Sequence, residues 1–309
     1  MDMRTVREAS TDPPSRRPEP RSVASRWRLS TGLSTALAAA ACGEESPAPA
    51  NLATCTEGEA QVVLLSELRF GRPIDGTSPG FDLDGAATAA GDPTGCGAPD
   101  YAAGVDNALA ALLPALEATE AGAAEPLIQA AINEGGLQVI LRWTGVDDPQ
   151  DDACVTDESL SGAGPVYIGT HDRVLPNQTL VVDETAPVSV ASEGSLADGT
   201  LEAGPFELSV PFRVLDADID LVILDGRVRL TPDGLGGYDG VVGGGVDIAQ
   251  VIATLEPLGI DRGVISLLGV LLDGAADLDP DGDGVCSRMS VALVVKAVPV
   301  FLFDEADGG

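Results

Sequence analysis

The stretch Leu208-Ser209-Val210-Pro211-Phe212-Arg213-Val214 places a large apolar side chain at every second position. Successive side chains of a β-strand point to opposite faces, so this period of two predicts a strand with one buried face. The alternation continues through residues 219–223, and Asp225-Gly226 is typical of a type I′ hairpin turn before residues 228–230. The pattern therefore predicts antiparallel strands joined by short turns.

The rest of the chain adds strands and two pairs of helices. Leucine and isoleucine at helical spacing predict one helix pair within residues 106–134, capped by Asp106 or Asn107, and another within 247–273, capped by Asp247 and Asp261. Gly243-Gly244-Gly245 is predicted to break the chain before the second pair. The remaining apolar, β-rich segments predict strands at 61–70, 137–144, 238–242 and 289–303. The predicted fold class is α+β, a mostly antiparallel β-sheet with two helical hairpins packed on it.

Composition excludes one large class of partners. The 309 residues are 44% apolar and carry a net charge of −32, which is typical of a folded, acidic protein. Residues 42–309 hold ten Lys and Arg against forty-five Asp and Glu. Nucleic-acid binding needs a basic surface, so no nucleic-acid partner is expected.

The N-terminal residues are predicted to direct export. Arg21, Arg26 and Arg28 precede a weakly apolar run of small residues at 29–41, a run too short to cross a bilayer. Cys42 follows at once, in the position of the lipid-modified cysteine of bacterial lipoproteins. We therefore predict lipidation of Cys42 and attachment to a membrane through this anchor.

These signals divide the chain into four parts. Residues 1–41 are the export segment and residues 42–58, rich in Pro, Ala, Ser and Thr, are a tether. Residues 59–303 form a single α+β domain, and residues 304–309 are an acidic tail. The predicted location is the outer membrane or the cell surface, with the periplasm as the alternative.

The other four cysteines are disulfide candidates. Cys55, Cys96, Cys154 and Cys286 allow three pairings, and an oxidising compartment favours two disulfides. The pairing that we expect is Cys96–Cys154 with Cys55–Cys286.

A cation site is predicted at Asp277-Leu278-Asp279-Pro280-Asp281-Gly282-Asp283-Gly284. Calcium takes six to eight oxygen ligands, and alternate aspartates before a glycine aim carboxylates into one turn. The predicted ligands are the carboxylates of Asp277, Asp279, Asp281 and Asp283. An EF-hand needs Glu at position 12 of its loop, where the two possible frames here place Arg288 or Ser290, so further ligands would come from elsewhere in the fold. The alternative is an acidic, solvated turn.

A group of uncharacterised, exported bacterial lipoproteins resembles this chain over most of residues 60–303. The resemblance is carried by the following residues: Phe81-Asp82-Leu83-Asp84-Gly85, Cys96-Gly97, Asp100, Gly104-Val105-Asp106-Asn107 and Asp279-Pro280-Asp281-Gly282-Asp283-Gly284. It implies an exported, envelope-associated protein and implies no activity. Cys286 stands where such proteins continue the last loop with polar residues, which favours a disulfide near that loop.

Enzymatic activity is not expected. Gly76-Thr77-Ser78-Pro79-Gly80 matches a hydrolase GxSxG motif, and His171 is the only histidine. Pro79 has no N–H for an oxyanion hole, however, and the surrounding prolines and glycines predict an irregular loop. Trp143 lies in an apolar strand and is predicted to be core, which weighs against a carbohydrate-binding platform.

Three functional hypotheses remain. The first is an exported, lipid-anchored envelope protein with a structural calcium site and a binding or structural role. The alternative is a carrier of a lipid or small apolar ligand, with a pocket lined by Ile248, Leu255, Leu268 and Leu272 of the second helix pair. A hydrolase ranks third. The sequence specifies no protein partner.

Overall fold

The computed structural model describes residues 58–118, 124–186, 192–214, 217–256 and 261–303. All of them belong to the larger of two compact units, which spans residues 52–309. The predicted export segment, Cys42, Cys55 and the acidic tail 304–309 lie outside the described residues.

Within these residues the chain forms ten β-strands and four α-helices. The strands are β1 (Glu59–Phe70), β2 (Val139–Val146), β3 (Asp152–Ala163), β4 (Thr179–Val182), β5 (Ser192–Ala197), β6 (Thr200–Val214), β7 (Ala217–Pro232), β8 (Tyr238–Asp247), β9 (Arg288–Pro299) and β10 (Phe301–Leu302). The helices are α1 (Leu109–Glu117), α2 (Ala124–Asn133), α3 (Ile248–Leu255) and α4 (Arg262–Asp273). The strand at 208–214 and both predicted helix pairs are thereby confirmed.

Eight of the strands close into an antiparallel barrel. Around the ring the order is β3-β2-β1-β9-β8-β7-β6-β5, and β5 pairs with β3 to complete it. The short strands β4 and β10 extend the sheet from β3 outside the ring. The prediction of a mostly antiparallel sheet is correct, but the picture of helices packed on an open sheet fits only loosely because the sheet has no free edge within the ring.

The two ends of the barrel differ. At one end, neighbouring strands are joined by the short turns 147–151, 198–199 and 233–237. At the other end, which we call the loop end, the long segments 71–138 and 248–287 connect β1 to β2 and β8 to β9. These two segments contain all four described helices and both aspartate-rich stretches of interest.

Apolar side chains fill the barrel interior. Val155, Leu201, Ile223, Val228 and Leu230 project inward from three strands, and each is 0% exposed. An exposure of zero means that no water-sized space touches these side chains. The barrel therefore has a packed core at this level, as small eight-stranded barrels commonly do.

The predicted chain break at Gly243–Gly245 is wrong, because these glycines lie inside β8. A Cβ on Gly244 would lie 2.5 Å from Ile223 Cγ2 and 2.7 Å from the Leu224 carbonyl oxygen. Gly244 is thus required by the close approach of β7, and Gly243 lies against the ring of Phe81, so glycine in this strand reflects packing rather than a turn.

The predicted hairpin turn at Asp225-Gly226 is also wrong. Residues 217–232 form one continuous strand, and its pairing with both neighbours shifts register around residues 224–227. Asp225 has φ of 51°, a left-handed conformation that suits a bulge as well as a hairpin turn. Asp225 adopts a conformation found in turns, but the long pairing with β6 keeps the strand extended.

Aspartate side chains cap both helices of the second pair. Asp247 accepts a hydrogen bond from the Gln250 N–H, and Asp261 accepts one from the Gly263 N–H, as predicted. The first helix of the other pair, α1, departs from the prediction of a cap at Asp106 or Asn107. Its N-cap is Ala108, because the two polar side chains are committed to the preceding loop.

Replacement of Gly244 by alanine should destabilise the barrel by about 1–3 kcal/mol, since the added methyl group overlaps Ile223 and the Leu224 carbonyl. The matched control is Gly136→Ala, whose Cβ would be 3.6 Å from its nearest neighbour and whose φ needs no glycine. Urea unfolding of both variants measures the difference. Equal stability of the two variants would contradict the packing argument.

Candidate functional site

Three aspartates converge at the loop end. One carboxylate oxygen from each of Asp82, Asp84 and Asp106 lies within 4.8 Å of the other two, and we call this set the acidic cluster. An antiparallel bridge between Phe81 and Asp106 brings the two segments together, with the Asp106 N–H donating to the Phe81 carbonyl at 2.9 Å. The Leu83 N–H donates to Asp106 Oδ2 at 2.7 Å. Backbone pairing thus holds Asp106 close to Asp82 and Asp84, from which it is 24 and 22 positions away in the sequence.

The loop that carries the cluster is anchored to the outer face of the barrel. Phe81 is 7% exposed and lies over Gly243, while the Arg229 guanidinium stands 5.1 Å from its ring centroid. Arg227 Nη1 donates to the Asp82 carbonyl at 2.9 Å. The missing side chain at Gly243 makes room for the ring, so the cluster has a fixed position relative to β7 and β8.

The cluster is electrostatically strained in the ionised state. Asp106 is 2% exposed, and burial raises its pKa to about 7, with the carboxylates of Asp84, Asp100 and Asp277 adding to the effect. Burial likewise raises the pKa of Asp277 to about 6, although hydrogen bonds from Ser290 oppose it. Several carboxylates are therefore crowded at one place, which is the arrangement that a bound cation would relieve.

The predicted calcium ligands at 277–283 do different things in the fold. Asp277 points inward, where it accepts hydrogen bonds from the N–H and the hydroxyl of Ser290. Asp279 accepts hydrogen bonds from the N–H groups of Gly282 and Gly284 at 2.9 and 2.7 Å, so it closes its own turn. Asp281 and Asp283 are exposed. Among the described residues, Asp82, Asp84 and Asp106 are the group whose ligand atoms converge, and calcium at 277–283 stays a prediction.

Sequence analysis did not select the acidic cluster as a site. Asp82, Asp84 and Gly85 form a short DxDG pattern, which was noted only as part of a family resemblance. That pattern is the signal from which two of the three aspartates could have been found. The third, Asp106, is brought in by backbone pairing that no spacing rule indicates.

A disulfide joins the two aspartate-rich loops. Cys96 is bonded to Cys286, with Cα atoms 6.1 Å apart, across 190 residues of sequence. The expected pairing of Cys96 with Cys154 and of Cys55 with Cys286 is therefore wrong, because the fold brings the two loop-end segments together. Cys154 is also disulfide-bonded, and Cys55 lies outside the described residues. A disulfide of this kind favours an oxidising compartment.

Ser78 and His171, the residues of the hydrolase hypothesis, lie in different loops and have different surroundings. Ser78 is 6% exposed; its hydroxyl donates to the Pro79 carbonyl and accepts a hydrogen bond from Asn107 Nδ2 at 2.8 Å. It lies in an irregular loop rather than between a strand and a helix. His171 is exposed at a separate turn. Ser78 thus supports the loop around Asn107 in the described structure.

A second group of polar atoms lies inside the barrel. Trp143 and Asp157 face each other across β2 and β3, and they are 1% and 2% exposed. The Trp143 Nε1 and Asp157 Oδ1 atoms have no hydrogen-bond partner among the described residues. Trp143 contacts the edge of Tyr238, whose hydroxyl donates to Gln61 Oε1 at 3.1 Å. Burial raises the pKa of Asp157 to about 7.

The chain matches no protein-family model, no curated protein and no solved structure. The resemblance to exported lipoproteins therefore stays a prediction. Of the helices in the described ranges, none is long and apolar enough to cross a membrane. A functional hypothesis consequently depends on the acidic cluster, the disulfide and the barrel.

The buried Asp157 should make stability fall as pH rises. Its pKa is higher in the folded chain, so the folded state keeps a proton that the unfolded chain releases between pH near 4 and pH near 7. Stability is therefore highest below pH 4 and is lost towards pH 7, by up to about 1.4 kcal/mol per pH unit for one proton. Asp157→Asn should reduce the slope by the share of Asp157 and leave the shares of Asp106 and Asp277, whose pKa values are also raised, as measured by urea unfolding at several pH values. The exposed control Glu184→Gln should keep the full wild-type slope, and an unchanged slope in Asp157→Asn would refute the assignment.

Proposed function

We propose that the protein is an exported, lipid-anchored envelope protein whose barrel binds calcium at its loop end as a structural ion. The observation that carries this proposal is the acidic cluster, in which three carboxylates approach one another in a segment that the Cys96–Cys286 disulfide links to the 277–283 loop. Its role at the envelope is binding or structural, and no catalytic residues are assigned.

The chemistry of the cluster suits calcium. Calcium takes carboxylate, carbonyl and water oxygens, and it tolerates irregular coordination. Asp106 is buried, Asp82 is half-buried and Asp84 is exposed, so the cluster combines a fixed anchor with an open side for water. Burial, with a smaller contribution from neighbouring carboxylates, raises the pKa of Asp106, and an ion bound here would stabilise its ionised form.

The loop at 277–283 is the second candidate position for the same ion. Asp281 and Asp283 are exposed there, Asp283 accepts a hydrogen bond from the Val285 N–H at 2.8 Å, and the Cys96–Cys286 disulfide ties this segment to the one that carries the acidic cluster. The two positions are distinguishable because different aspartates would lose calcium binding on substitution.

The disulfide supports export, because disulfides persist in oxidising compartments. Cys42 supplies the proposed lipid anchor, and the residues between it and β1 supply the proposed tether. A membrane is thus the proposed partner, reached through lipid rather than through a spanning helix.

A ligand carrier is the second candidate, favoured by the closed eight-stranded barrel, an architecture that can hold one small ligand. The packed interior weighs against it. Ile248 and Leu272, which were expected to line a pocket, are buried in the core, and Leu255 and Leu268 are half-buried. A carrier would need these side chains to move apart.

Calcium should raise the melting temperature of the oxidised full chain. A ligand that binds only the folded state stabilises it by about 2.7 kcal/mol at 100 times its Kd. The comparison is between excess calcium and a chelator, followed by differential scanning fluorimetry. No shift in the wild-type chain would rule out a structural calcium ion.

Three variants locate the ion. Asp84→Asn should abolish the calcium-dependent shift if the acidic cluster binds it, whereas Asp281→Asn should abolish it if the 277–283 loop does. Asp148→Asn, in another exposed acidic turn, is the matched control and should keep the full shift. Loss of the shift in all three variants would indicate a general effect of charge instead of a site.

Cys42→Ser should release the protein from membranes, because the serine hydroxyl cannot take the thioether-linked lipid of a lipoprotein. After expression in a bacterium that processes lipoproteins, the wild type should sediment with membranes and the variant should remain in the supernatant. Cys55→Ser is the control and should still sediment. Equal sedimentation of wild type and Cys42→Ser would overturn the lipid anchor while leaving the calcium proposal intact.

A further inference from the structure

A groove of about 420 Å³ lies on the outer face of the barrel, away from the acidic cluster. Its floor is formed by β1 and β9, and its walls are the C-terminal end of α2 and the turns around residues 171–174 and 233–235. Arg69, Arg173, Lys296, His171 and Tyr238 are among its lining residues.

The groove concentrates the few positive side chains of the chain. Residues 42–309 contain only ten Lys and Arg, and three of them, Arg69, Arg173 and Lys296, line this one depression. Lys296 is the only lysine of the entire chain and His171 is the only histidine. In a protein with forty-five acidic residues after position 41, this grouping makes the groove far less acidic than the rest of the surface.

The carboxylates around the groove are largely engaged. Glu67 pairs with Arg69, and Asp239, in an adjoining depression, pairs with Lys296. Asp233 accepts hydrogen bonds from the N–H groups of Leu235 and Gly237 at 2.6 and 2.9 Å. Asp172 is exposed at the rim.

Unused donors remain. A lysine ammonium has three N–H donors and an arginine guanidinium has five, so single ion pairs leave Lys296 and Arg69 with donors to spare. Arg173 has no ion-pair partner among the described residues, and its side chain is exposed at the groove. An oxyanion is the group that complements such a set of donors.

The turn that supplies Arg173 has an unfavourable backbone. His171 and Asp172 have φ of 72° and 55°, two consecutive left-handed conformations without glycine. Asn133 Nδ2, on α2, donates to the Asp172 carbonyl at 3.2 Å, and a bridge between Ile168 and Val174 closes the turn. The fold thus holds a strained turn in place at the groove, as is common at binding sites.

We propose that this groove binds a small molecule with an oxyanion head group, either a phosphate ester or a carboxylate, on a compact apolar body. The head group meets Arg173, Lys296 and His171, and the apolar body contacts Tyr238 and Val298. This site is independent of the calcium proposal.

The test measures binding of three probes with the same ring by isothermal titration calorimetry, in buffer freed of calcium by resin so that no ion bridges an anion to the acidic cluster. Phenyl phosphate and benzoate separate the two oxyanions, and benzamidine carries a positive charge. The full chain should bind at least one of the first two saturably and should not bind benzamidine. Arg173→Gln and Lys296→Gln should each weaken binding about tenfold, the effect of losing one charge-assisted hydrogen bond.

Arg262→Gln is the matched control, since it removes the same charge from an exposed position at the start of α4. It should leave the affinity unchanged, and all three exposed substitutions should preserve the melting temperature. Absence of saturable binding to either anion would overturn the proposal. Equal weakening by Arg262→Gln, or equal binding of benzamidine, would show non-specific attraction and overturn it as well.

Discussion

The pairing of β3 with β5 is the interaction on which the rest of the structure depends. It turns a row of strands into a ring, so that no strand within the ring presents an unpaired edge. Ring closure also creates an interior that must be filled, because alternate side chains of all eight strands now point at one another. The large inward side chains and the inward glycines of β8 are two parts of the same solution, since Ile223 occupies the space that a side chain at 244 would need.

Strand order then decides where the acidic residues meet. β1 pairs with β9 in antiparallel register, with Phe70 opposite Leu293. The segment that follows β1 therefore starts next to the point where the segment that precedes β9 ends. The first segment carries Asp106 and the second carries Asp277. A hydrogen-bond chain joins them: the Ala108 N–H donates to the Ser290 hydroxyl, which donates to Asp277. The Cys96–Cys286 disulfide adds a covalent link between the same two segments.

Local patterns predicted what local physics controls. The period-two alternation of β6, the helical spacing in both helix pairs and the caps at Asp247 and Asp261 depend on neighbours within a few residues, and the structure confirms them. Closure of the ring was beyond such reasoning, because no residue in β3 or β5 signals its partner. The same limit explains the two errors at glycines, since a bulge or the close approach of another backbone also favours glycine within a strand.

The acidic cluster likewise has one part that the sequence indicates and one part that only the fold brings in. The DxDG run at Asp82 to Gly85 is visible in the sequence, whereas Asp106 joins it only through the bridge to Phe81. The regular spacing of the long DxDxDG run predicted an ion site. In the structure, however, Asp277 accepts a hydrogen bond from Ser290 of β9, and Asp279 closes its own turn. Regular spacing in the sequence indicates which carboxylates could bind one ion together. The fold determines which of those carboxylates instead accept hydrogen bonds from other residues.

The spacing of residues along β9 separates the loop end, with its crowded carboxylates, from the groove that contains Lys296. Ser290, the partner of Asp277, and Lys296 lie six residues apart on β9, which is about 20 Å along an extended strand. Charges in physiological salt are screened over about 8 Å, so the field of the crowded carboxylates is weak at the groove. An oxyanion held near Lys296 would therefore not be repelled by Asp106 and Asp277. An ion bound at the loop end would in turn change the stability of the fold without changing the affinity of the groove, which allows one strongly acidic barrel to hold a structural cation and to bind an anion at separate places.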